Sequence, residues 1–334
     1  MPVRLGINGL GRIGRAVVRI ALERPDLGLE LVAANDAAPP GQLAKLFRHD
    51  TVHGGFAVAV GAEDDALRFG DRRVPLARAA EPQQIDWGAH GVEVVLESTG
   101  KFRRRAAAAG HLSAGVRQVV VSATMPDADL TLCLGINDRA LDRDRHRVLS
   151  NASCTTNCLA PLLLVLDRAF GVEQALMNTV HCVTNSQNLV DMAHPDARRA
   201  RSALANIIPT TSDAIPSIVQ VMPEMAGRVE GLAMRVPVVA GSLVDLTVRL
   251  GAEAGGAALA DAFRAAEAGD LAGILGTTGD ELVSSDVIGD PRSAVVDLGL
   301  LQSAGDRLHR VVAWYDNEWG YANRLAELVS RLAT

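Results

Sequence analysis

Val3-Arg-Leu-Gly-Ile7-Asn8-Gly9-Leu-Gly11-Arg12-Ile13-Gly14 is the stretch that decides the fold. A short apolar run, Val3–Ile7, leads into G-x-G-x-x-G. A helical pattern follows from Arg12 to Glu23, with Ile13, Val17, Ile20 and Ala21 on one face. Alone, the glycine spacing fits any glycine-rich turn. Between a strand and a helix each glycine has its own role. The first permits the tight turn, and the second lets the backbone approach a pyrophosphate. The third lets the helix pack closely on the strand. The helix N-terminus then offers N–H groups and a positive dipole end to phosphates. The next apolar run, Leu29–Ala33, ends in Asn35-Asp36. Asp36 stands about 20 residues beyond the third glycine, where a carboxylate meets a ribose 2′-OH. A carboxylate there repels a 2′-phosphate, so the spacing predicts NAD rather than NADP.

Working outward, apolar runs recur at Val92–Leu96 and Val116–Val121, and the former leads to a loop, Glu97-Ser98-Thr99-Gly100. Strands alternating with helices predict an α/β domain of Rossmann type, a doubly wound parallel sheet. The pattern changes after about residue 150. A helix carries Leu159, Leu162, Leu163 and Leu166, and longer strand-like runs follow at Ala175–Thr184, Gly231–Pro237 and Gly241–Leu250. The last of these largely alternates, as a sheet with one covered face should. This predicts an α+β second domain with a mostly antiparallel sheet. A final helix from Trp319 places Tyr321, Leu325, Leu328, Val329 and Leu332 on one face, which must be buried against another element.

Composition narrows the function classes. The 334 residues suffice for about two domains. The net charge of -6 gives no support for nucleic-acid binding, which calls for a basic domain. The one basic run, Lys101-Phe-Arg-Arg-Arg105, reads as a solvated surface feature. Four cysteines without a C-x-x-C pair indicate neither a metal site nor a disulfide framework, and they fit a reducing compartment. The longest apolar run, Leu159–Leu166, falls far short of the roughly 20 residues that span a bilayer. No secretory signal is visible. A cytoplasmic location is expected.

Chemistry concentrates at Ser150-Asn-Ala-Ser153-Cys154-Thr155-Thr-Asn157, just before the apolar helix. Cys154 falls at a helix N-terminus, which favours the thiolate and predicts a depressed pKa. The alternative, a packed structural cysteine, fits poorly with Ser, Thr and Asn neighbours; Cys158, one turn on, reads as packing. His181, in Thr179-Val-His-Cys-Val-Thr184, is by itself an ordinary interior histidine. Paired with a cysteine nucleophile it becomes a candidate base. Arg198-Arg199-Ala-Arg201 and Arg235 suit anionic substrates, because guanidinium forks bind phosphate bidentately; otherwise they are salt-bridged surface.

Taken together, Ile7-Asn-Gly-Leu-Gly-Arg-Ile-Gly-Arg15, Asn151-Ala-Ser-Cys-Thr-Thr-Asn-Cys158, Thr179-Val-His181, Arg198-Arg-Ala-Arg201, Ile207-Ile-Pro-Thr210, Met234-Arg-Val-Pro237 and Trp314-Tyr-Asp-Asn-Glu318 closely resemble the glyceraldehyde-3-phosphate dehydrogenase family. The resemblance runs in order over essentially the whole chain. It implies an NAD-binding Rossmann domain over 1–153, a catalytic domain over 154–316 and a terminal segment, 317–334, whose helix packs back on the first domain. It also implies a homotetramer. Cys154 would attack the aldehyde and His181 would manage the proton. Inorganic phosphate would then cleave the resulting thioester to an acyl phosphate. The resemblance places Asn8, Gly9, Gly11, Arg12, Ile13, Gly14, Asp36, Ser98, Thr99, Ser122 and Asn317 around the cofactor. Thr184 and Arg235 match one phosphate site, and Ser153, Thr155, Ser212 and Arg199 the other.

The chain also departs from the family pattern. Residues 184–187 read Thr-Asn-Ser-Gln where the family usually has T-N-D-Q, and Ser212-Asp213 stands where it has T-G. Met192-Ala193 replaces L-P, and Ser122-Ala-Thr124 replaces S-A-P. A carboxylate about 4 Å from a phosphate charge costs on the order of 4 kcal/mol at an effective dielectric near 20, so Asp213 opposes binding of the attacking phosphate. Ala37 and Ala193 leave space near the adenosine ribose and admit NADP as a second cofactor. His194-Pro-Asp196, Asp290-Pro-Arg-Ser293 and Asp316-Asn-Glu-Trp319 are hints of a resemblance to the related erythrose-4-phosphate dehydrogenases, which release an acid with water. A different class, a non-catalytic NAD-binding regulatory protein on the same fold, is opposed by the intact Cys154 and His181.

Overall fold

The computed structural model describes residues 1–112 and 115–332. Residues 113–114 of the expected first domain and 333–334 of the expected terminal segment lie outside the described residues. The chain forms two compact units. One comprises Met1–Leu132, Asp138–Ala152 and Ala322–Thr334; the other comprises Cys133–Asn137 and Ser153–Tyr321.

The first unit opens with β1 (Val3–Asn8), α1 (Arg12–Glu23), β2 (Leu29–Asn35) and α2 (Pro40–Arg48). Next come β3 (Val60–Glu63), β4 (Ala66–Phe69), β5 (Arg72–Ala77) and β6 (Val94–Glu97). The short helix α3 (Arg105–Ala108) precedes β7 (Gln118–Val121), β8 (Leu130–Thr131) and β9 (Val148–Ser150). These nine strands form one sheet in the order β3-β4-β5-β2-β1-β6-β7-β9-β8. From β5 to β8 every neighbouring pair is parallel. The run β5-β2-β1-β6-β7-β9 is the doubly wound dinucleotide-binding order, and it reverses between β1 and β6. Ligands bind at such a reversal, beyond the carboxyl ends of the strands. The expected α/β Rossmann-type fold is therefore present, and α1 occupies the expected residues.

Burial explains why these segments pair. Leu5, Ile7, Val94, Leu96, Val119 and Val121 are buried, as parallel strands covered on both faces require. Each such side chain contributes about 1.5–3 kcal/mol relative to exposure. The antiparallel ladder β3–β4–β5 has no counterpart in the periodicity reading. Its strands are short, and Arg68, Arg72 and Arg73 interrupt the apolar pattern.

The second unit begins with α4 (Cys154–Phe170) and β10 (Val172–Cys182), then β11 (Ile208–Thr210), α5 (Ala214–Val221) and β12 (Val229–Val236). β13 (Ser242–Leu250), α6 (Gly256–Ala268), β14 (Leu275–Thr278), β15 (Ala294–Asp297), β16 (Gln302–Ser303) and β17 (Leu308–Tyr315) complete it. The sheet order is β11-β12-β10-β13-β17-β15-β14, with β16 on β17. Most pairs are antiparallel; β10–β12 and β14–β15 are parallel. In β13, Val244, Leu246, Val248 and Leu250 are buried while Thr247 and Arg249 are exposed, the alternation expected of one covered face. β10 ends at Cys182 rather than Thr184, because the Thr184 N–H is taken by the Gln187 side chain at 2.9 Å.

The last helix, α7 (Trp319–Arg331), lies in the first unit from Ala322 onward. Leu325, Leu328, Val329 and Leu332 are buried. Within that unit Ser330 Oγ donates to the Leu27 carbonyl at 2.6 Å, and Glu327 pairs with Arg24 at 3.1 Å.

Candidate active site

At the β1–β6 reversal the three glycines are not equivalent. Gly9 has φ +95°, and a Cβ there would lie 2.7 Å from the Thr99 nitrogen. A Cβ on Gly14 would lie 2.0 Å from the Gly9 carbonyl oxygen. Both positions admit only glycine. Gly11 has no atom within 4 Å of its would-be Cβ, so this position faces open space. It is also the N-cap of α1 and supplies no side-chain cap, so the helix end presents backbone to that space. This is a cradle for a phosphate group. Asp36, at the end of β2, accepts from the Leu10 N–H at 2.7 Å and the Ala38 N–H at 2.8 Å. The loop and the carboxylate that would meet a ribose are thereby tied together, and the residues fit a dinucleotide.

Beneath the loop runs a buried polar network. Asn8 Nδ2 donates to Glu97 Oε2 at 2.5 Å, and the Thr99 N–H donates to Glu97 Oε1 at 2.8 Å. His111 Nε2 lies 3.1 Å from Glu97 Oε2, and Trp87 Nε1 donates to His111 Nδ1 at 3.0 Å. The indole can only donate, so His111 Nδ1 accepts and its Nε2–H faces the carboxylate. Ser98 Oγ donates to the Gly9 carbonyl at 2.6 Å. Asn8, Ser98 and Thr99 therefore hold the loop with their side chains. The backbone N–H of Ser122 donates to the Glu97 carbonyl at 2.9 Å.

In the second unit, Ser153 caps α4: its Oγ accepts from the Thr156 N–H at 2.9 Å. The preceding Ala152 is held at φ +55°, the one non-glycine residue with positive φ among the described residues. Such a conformation costs of order 1–3 kcal/mol and recurs at functional sites. The turn delivers Cys154 to the first position of α4 with part of its surface open. Its Sγ lies 3.5 Å from Nε2 of the buried His181. His181 Nδ1 lies 2.8 Å from the Cys182 carbonyl and in contact with Arg235 Nη1. If Nδ1–H donates to the carbonyl, Nε2 faces the sulfur with its lone pair and can take the thiol proton. If Nδ1 accepts from Arg235, Nε2–H faces the sulfur as a donor. One ring can thus serve as base or as donor, according to its tautomer.

The electrostatics overturn one expectation. Burial pushes the Cys154 thiol above its ordinary value, opposed by the Arg235 charge and by hydrogen bonds from the side chain and N–H of Thr155. Burial, then Arg235, pulls His181 down to about 3. The helix N-terminus does not by itself depress the thiol: the pair rests as thiol and neutral imidazole. Cys133, Cys158 and Cys182 are buried free thiols, and burial raises all three.

Comparison with known proteins settles the family. A model of the glyceraldehyde 3-phosphate dehydrogenase NAD binding domain matches residues 3–105, and one of the C-terminal domain of the same enzyme matches residues 153–317. The chain is 46% identical over 330 residues to a glyceraldehyde-3-phosphate dehydrogenase of Kitasatospora aureofaciens, covering 99% of each. It is 43% identical over 333 residues to glyceraldehyde-3-phosphate dehydrogenase 1 of Bacillus subtilis, covering 100% of this chain and 99% of that one. To the Mycobacterium bovis protein of the same name it is 46% identical over 335 residues, covering 99% and 98%. The chain belongs to the glyceraldehyde-3-phosphate dehydrogenase family.

The residues carried over from the glyceraldehyde-3-phosphate dehydrogenase pattern fall into two groups. Arg235 stands beside the sulfur–imidazole pair, and its buried Nε has no hydrogen-bond partner among the described residues, as expected of a group awaiting an anion. Arg199 Nε donates to Thr210 Oγ1 at 2.8 Å and lies 3.6 Å from Asp196. Arg201 pairs with Asp191 at 2.9 Å on the surface. The other group is held inside the fold. Ser153 caps α4, Thr155 is buried with its hydroxyl on Tyr315 at 2.9 Å, and Thr184 Oγ1 donates to Gln187 Oε1 at 3.0 Å. Ser212 Oγ accepts from the Ala214 N–H at 3.2 Å, and Asn317 Oδ1 accepts from Ser242 Oγ at 3.2 Å. Asp213 is the exposed N-cap of α5 at φ −72°, a backbone that any residue adopts; its side chain does not cap the helix.

Sequence reasoning missed Ala152, the Glu97–His111–Trp87 network and Tyr315. Alanine carries no signal of positive φ. The network and Tyr315 join residues far apart in the chain. The only local hint was that Tyr315 adjoins the Asp316-Asn317 turn.

Proposed function

We propose that the chain oxidises glyceraldehyde 3-phosphate with NAD and inorganic phosphate, giving 1,3-bisphosphoglycerate through a thioester on Cys154. The observation that carries this reading is the Cys154 sulfur at the start of α4, 3.5 Å from His181 Nε2. The thiol proton passes to Nε2 as sulfur bonds to the aldehyde carbon, and the developing oxyanion, met by the Cys154 N–H, takes that proton back from Nε2 to give a thiohemiacetal hydroxyl and a neutral imidazole. His181 then takes the hydroxyl proton as the carbon is oxidised to a thioester. NAD, when bound, supplies the hydride acceptor. Gly9, Gly11, Arg12, Ile13, Gly14 and Asp36 would hold it, with Asn8, Ser98, Thr99 and Ser122 shaping the loop; in the family pattern Asn317 meets the carboxamide. Arg235 and Thr184 would hold the substrate phosphate. Attack of inorganic phosphate on the thioester carbon returns the sulfur as the leaving group.

A second reading rests on Asp213, an exposed carboxylate beside Ser212. It opposes phosphate near Arg199 and favours water as the acyl acceptor, as in oxidation of erythrose 4-phosphate to an acid. NADH formation from each aldehyde, with and without phosphate, and with acyl phosphate and acid quantified, decides between them. A chain that forms no NADH from either is a non-catalytic member of the family, and the proposal fails.

The assembly we propose is a homotetramer. Leu176, Leu232 and Leu308 are exposed on strands of the second sheet, as are Leu189, Val190, Met192, Leu204 and Ile207 on the segment after β10. Apolar area of this kind on a lone chain calls for cover. Light scattering that gives a monomer mass would refute it. A cytoplasmic location is supported by the unpaired cysteines, and no helix among the described residues is long and apolar enough to cross a membrane.

A further inference from the structure

Glu97, at the end of β6, is buried, and both of its carboxyl oxygens are occupied. Oε2 meets Asn8 Nδ2 at 2.5 Å and His111 Nε2 at 3.1 Å. Oε1 accepts from the Thr99 N–H at 2.8 Å and from the Thr99 hydroxyl at 2.5 Å, whose oxygen accepts in turn from the Lys101 N–H at 3.1 Å. The two partners of Oε2 have no choice of role. Trp87 Nε1 can only donate, so His111 Nδ1 accepts and Nε2 carries the hydrogen. On the other side, the Ala79 N–H donates to Asn35 Oδ1 at 2.8 Å. The Asn35 amide nitrogen therefore faces Asn8 Oδ1, at 2.8 Å, and the Asn8 amide nitrogen faces Glu97. Every one of these groups donates, so Glu97 is a carboxylate. The chain of fixed roles runs from the loop after β5 across the carboxyl ends of β2, β1 and β6, which are neighbours in the sheet. All of its members lie in the first unit.

We propose that Glu97 is a positioning residue for the dinucleotide: its buried carboxylate fixes the Ser98–Thr99 turn that walls the glycine loop, and so shapes the loop before the cofactor arrives. This rests on the reading of that loop as the NAD site. The wall is close. The Thr99 nitrogen lies 2.7 Å from where a Cβ of Gly9 would stand. Ser98 Oγ donates to the Gly9 carbonyl at 2.6 Å, and that carbonyl oxygen lies 2.0 Å from where a Cβ of Gly14 would stand. A small displacement of the turn is therefore passed to Gly9 and on to the start of α1. Asn8 and His111 anchor Oε2 and so aim Oε1 at Thr99. Charge-assisted bonds are shorter and about twice as strong as neutral ones, so a carboxylate holds the turn more firmly than a neutral group of the same shape. Trp87 and Ala79 never approach the loop, yet they set the direction of every bond to Oε2.

The test is calorimetric binding of NAD to the full-length protein, with Tm taken on the same samples. Glu97→Gln keeps the shape but turns one acceptor into an NH2 group, which faces a fixed donor whichever way it points. The Kd for NAD should rise at least about tenfold, the scale of one buried donor left unpaired. Asn8→Asp sets a second carboxylate against the first and should weaken binding as much. In the Asn8→Asp/Glu97→Gln double variant donor and acceptor have changed places. The new amide donates to the new carboxylate, which still accepts from Asn35, and His111 Nε2, 3.4 Å from the side-chain atom at position 8, can donate to it as well. The Kd should return to within about threefold of wild type. His111→Phe removes one of the donors that aim the carboxylate and should raise the Kd about threefold; it decides the matter if the other single variants do not fold. A wild-type Kd in folded Glu97→Gln or His111→Phe overturns the proposal even if Tm falls, since that is the mark of a purely structural role. A double variant that binds no tighter than the singles overturns it too. A wild type that binds no NAD removes the cofactor reading and the proposal with it, whereas wild-type binding that these substitutions leave untouched removes the proposal alone.

Discussion

Cys154 and His181 are 27 residues apart in the chain, yet their sulfur and Nε2 lie 3.5 Å apart, because α4 begins where β10 ends. The histidine is buried, backed by Arg235, and held neutral; the sulfur is partly open. A neutral acid beside a neutral base is a proton-transfer pair waiting for an electrophile.

Cys154→Ser should therefore lower the oxidation rate by about four orders of magnitude or more, as loss of a covalent nucleophile does elsewhere. The Kd for NAD should stay within about threefold, under about 0.7 kcal/mol, because the glycine loop belongs to the other unit. Stopped-flow NADH formation and calorimetric NAD binding check the two halves. Substantial activity in the variant would remove Cys154 from the mechanism.

Asp36 holds two backbone N–H groups and closes the glycine loop. The wild type should show a higher kcat/KM with NAD than with NADP. Asp36→Ala should narrow that gap at least about tenfold by relieving about 1.4 kcal/mol of repulsion from a 2′-phosphate, and should raise KM for NAD. Equal use of both cofactors by the wild type would contradict this and point to the room beside Ala37 and Ala193.

Asp213→Gly should lower the apparent KM for inorganic phosphate at least about tenfold, about 1.4 kcal/mol of relieved repulsion. The helical φ at Asp213 means the change leaves the backbone unstrained. The NADH burst of the first half-reaction should hardly move. A tight phosphate KM in the wild type, unchanged in the variant, would mean that Asp213 does not reach the phosphate.

His181 carries a pH signature. In the fold it stays neutral down to about pH 3, whereas in the unfolded chain it titrates near 6.5. Between those values the unfolded state binds the extra proton, so stability is lost as pH falls from 6.5 toward 3. From pH 7.5 to 4.5 the wild type should lose about 2–3 kcal/mol more than His181→Asn. Denaturant unfolding of both at one protein concentration measures this, and equal losses would show that His181 is not held neutral.

The parts legible in the sequence were those set by neighbours in the chain. Gly9 is demanded by its φ of +95° and Gly14 by the Gly9 carbonyl oxygen, both conditions set within one strand–turn–helix unit, so their spacing revealed the Rossmann-type fold and the cofactor loop together. Cys154 was legible because Ser153 caps the helix that begins beside it, a relationship between adjacent residues. The periodicity of α1 and β13 reported their buried faces for the same reason.

What only the tertiary structure decided depends on residues that folding brings together. The thiol's environment is one case: the helix end alone predicts a depressed pKa, but burial, which no local pattern records, pushes the other way. Arg235 reaches His181 across 54 positions, and Tyr315 reaches Thr155 across 160. Such contacts arise from strand order, since β12, β10, β13 and β17 lie side by side in the sheet though not in the chain. Spacing and composition identify which groups can react; the low dielectric and the single-proton bookkeeping of a packed interior decide the charge each one carries.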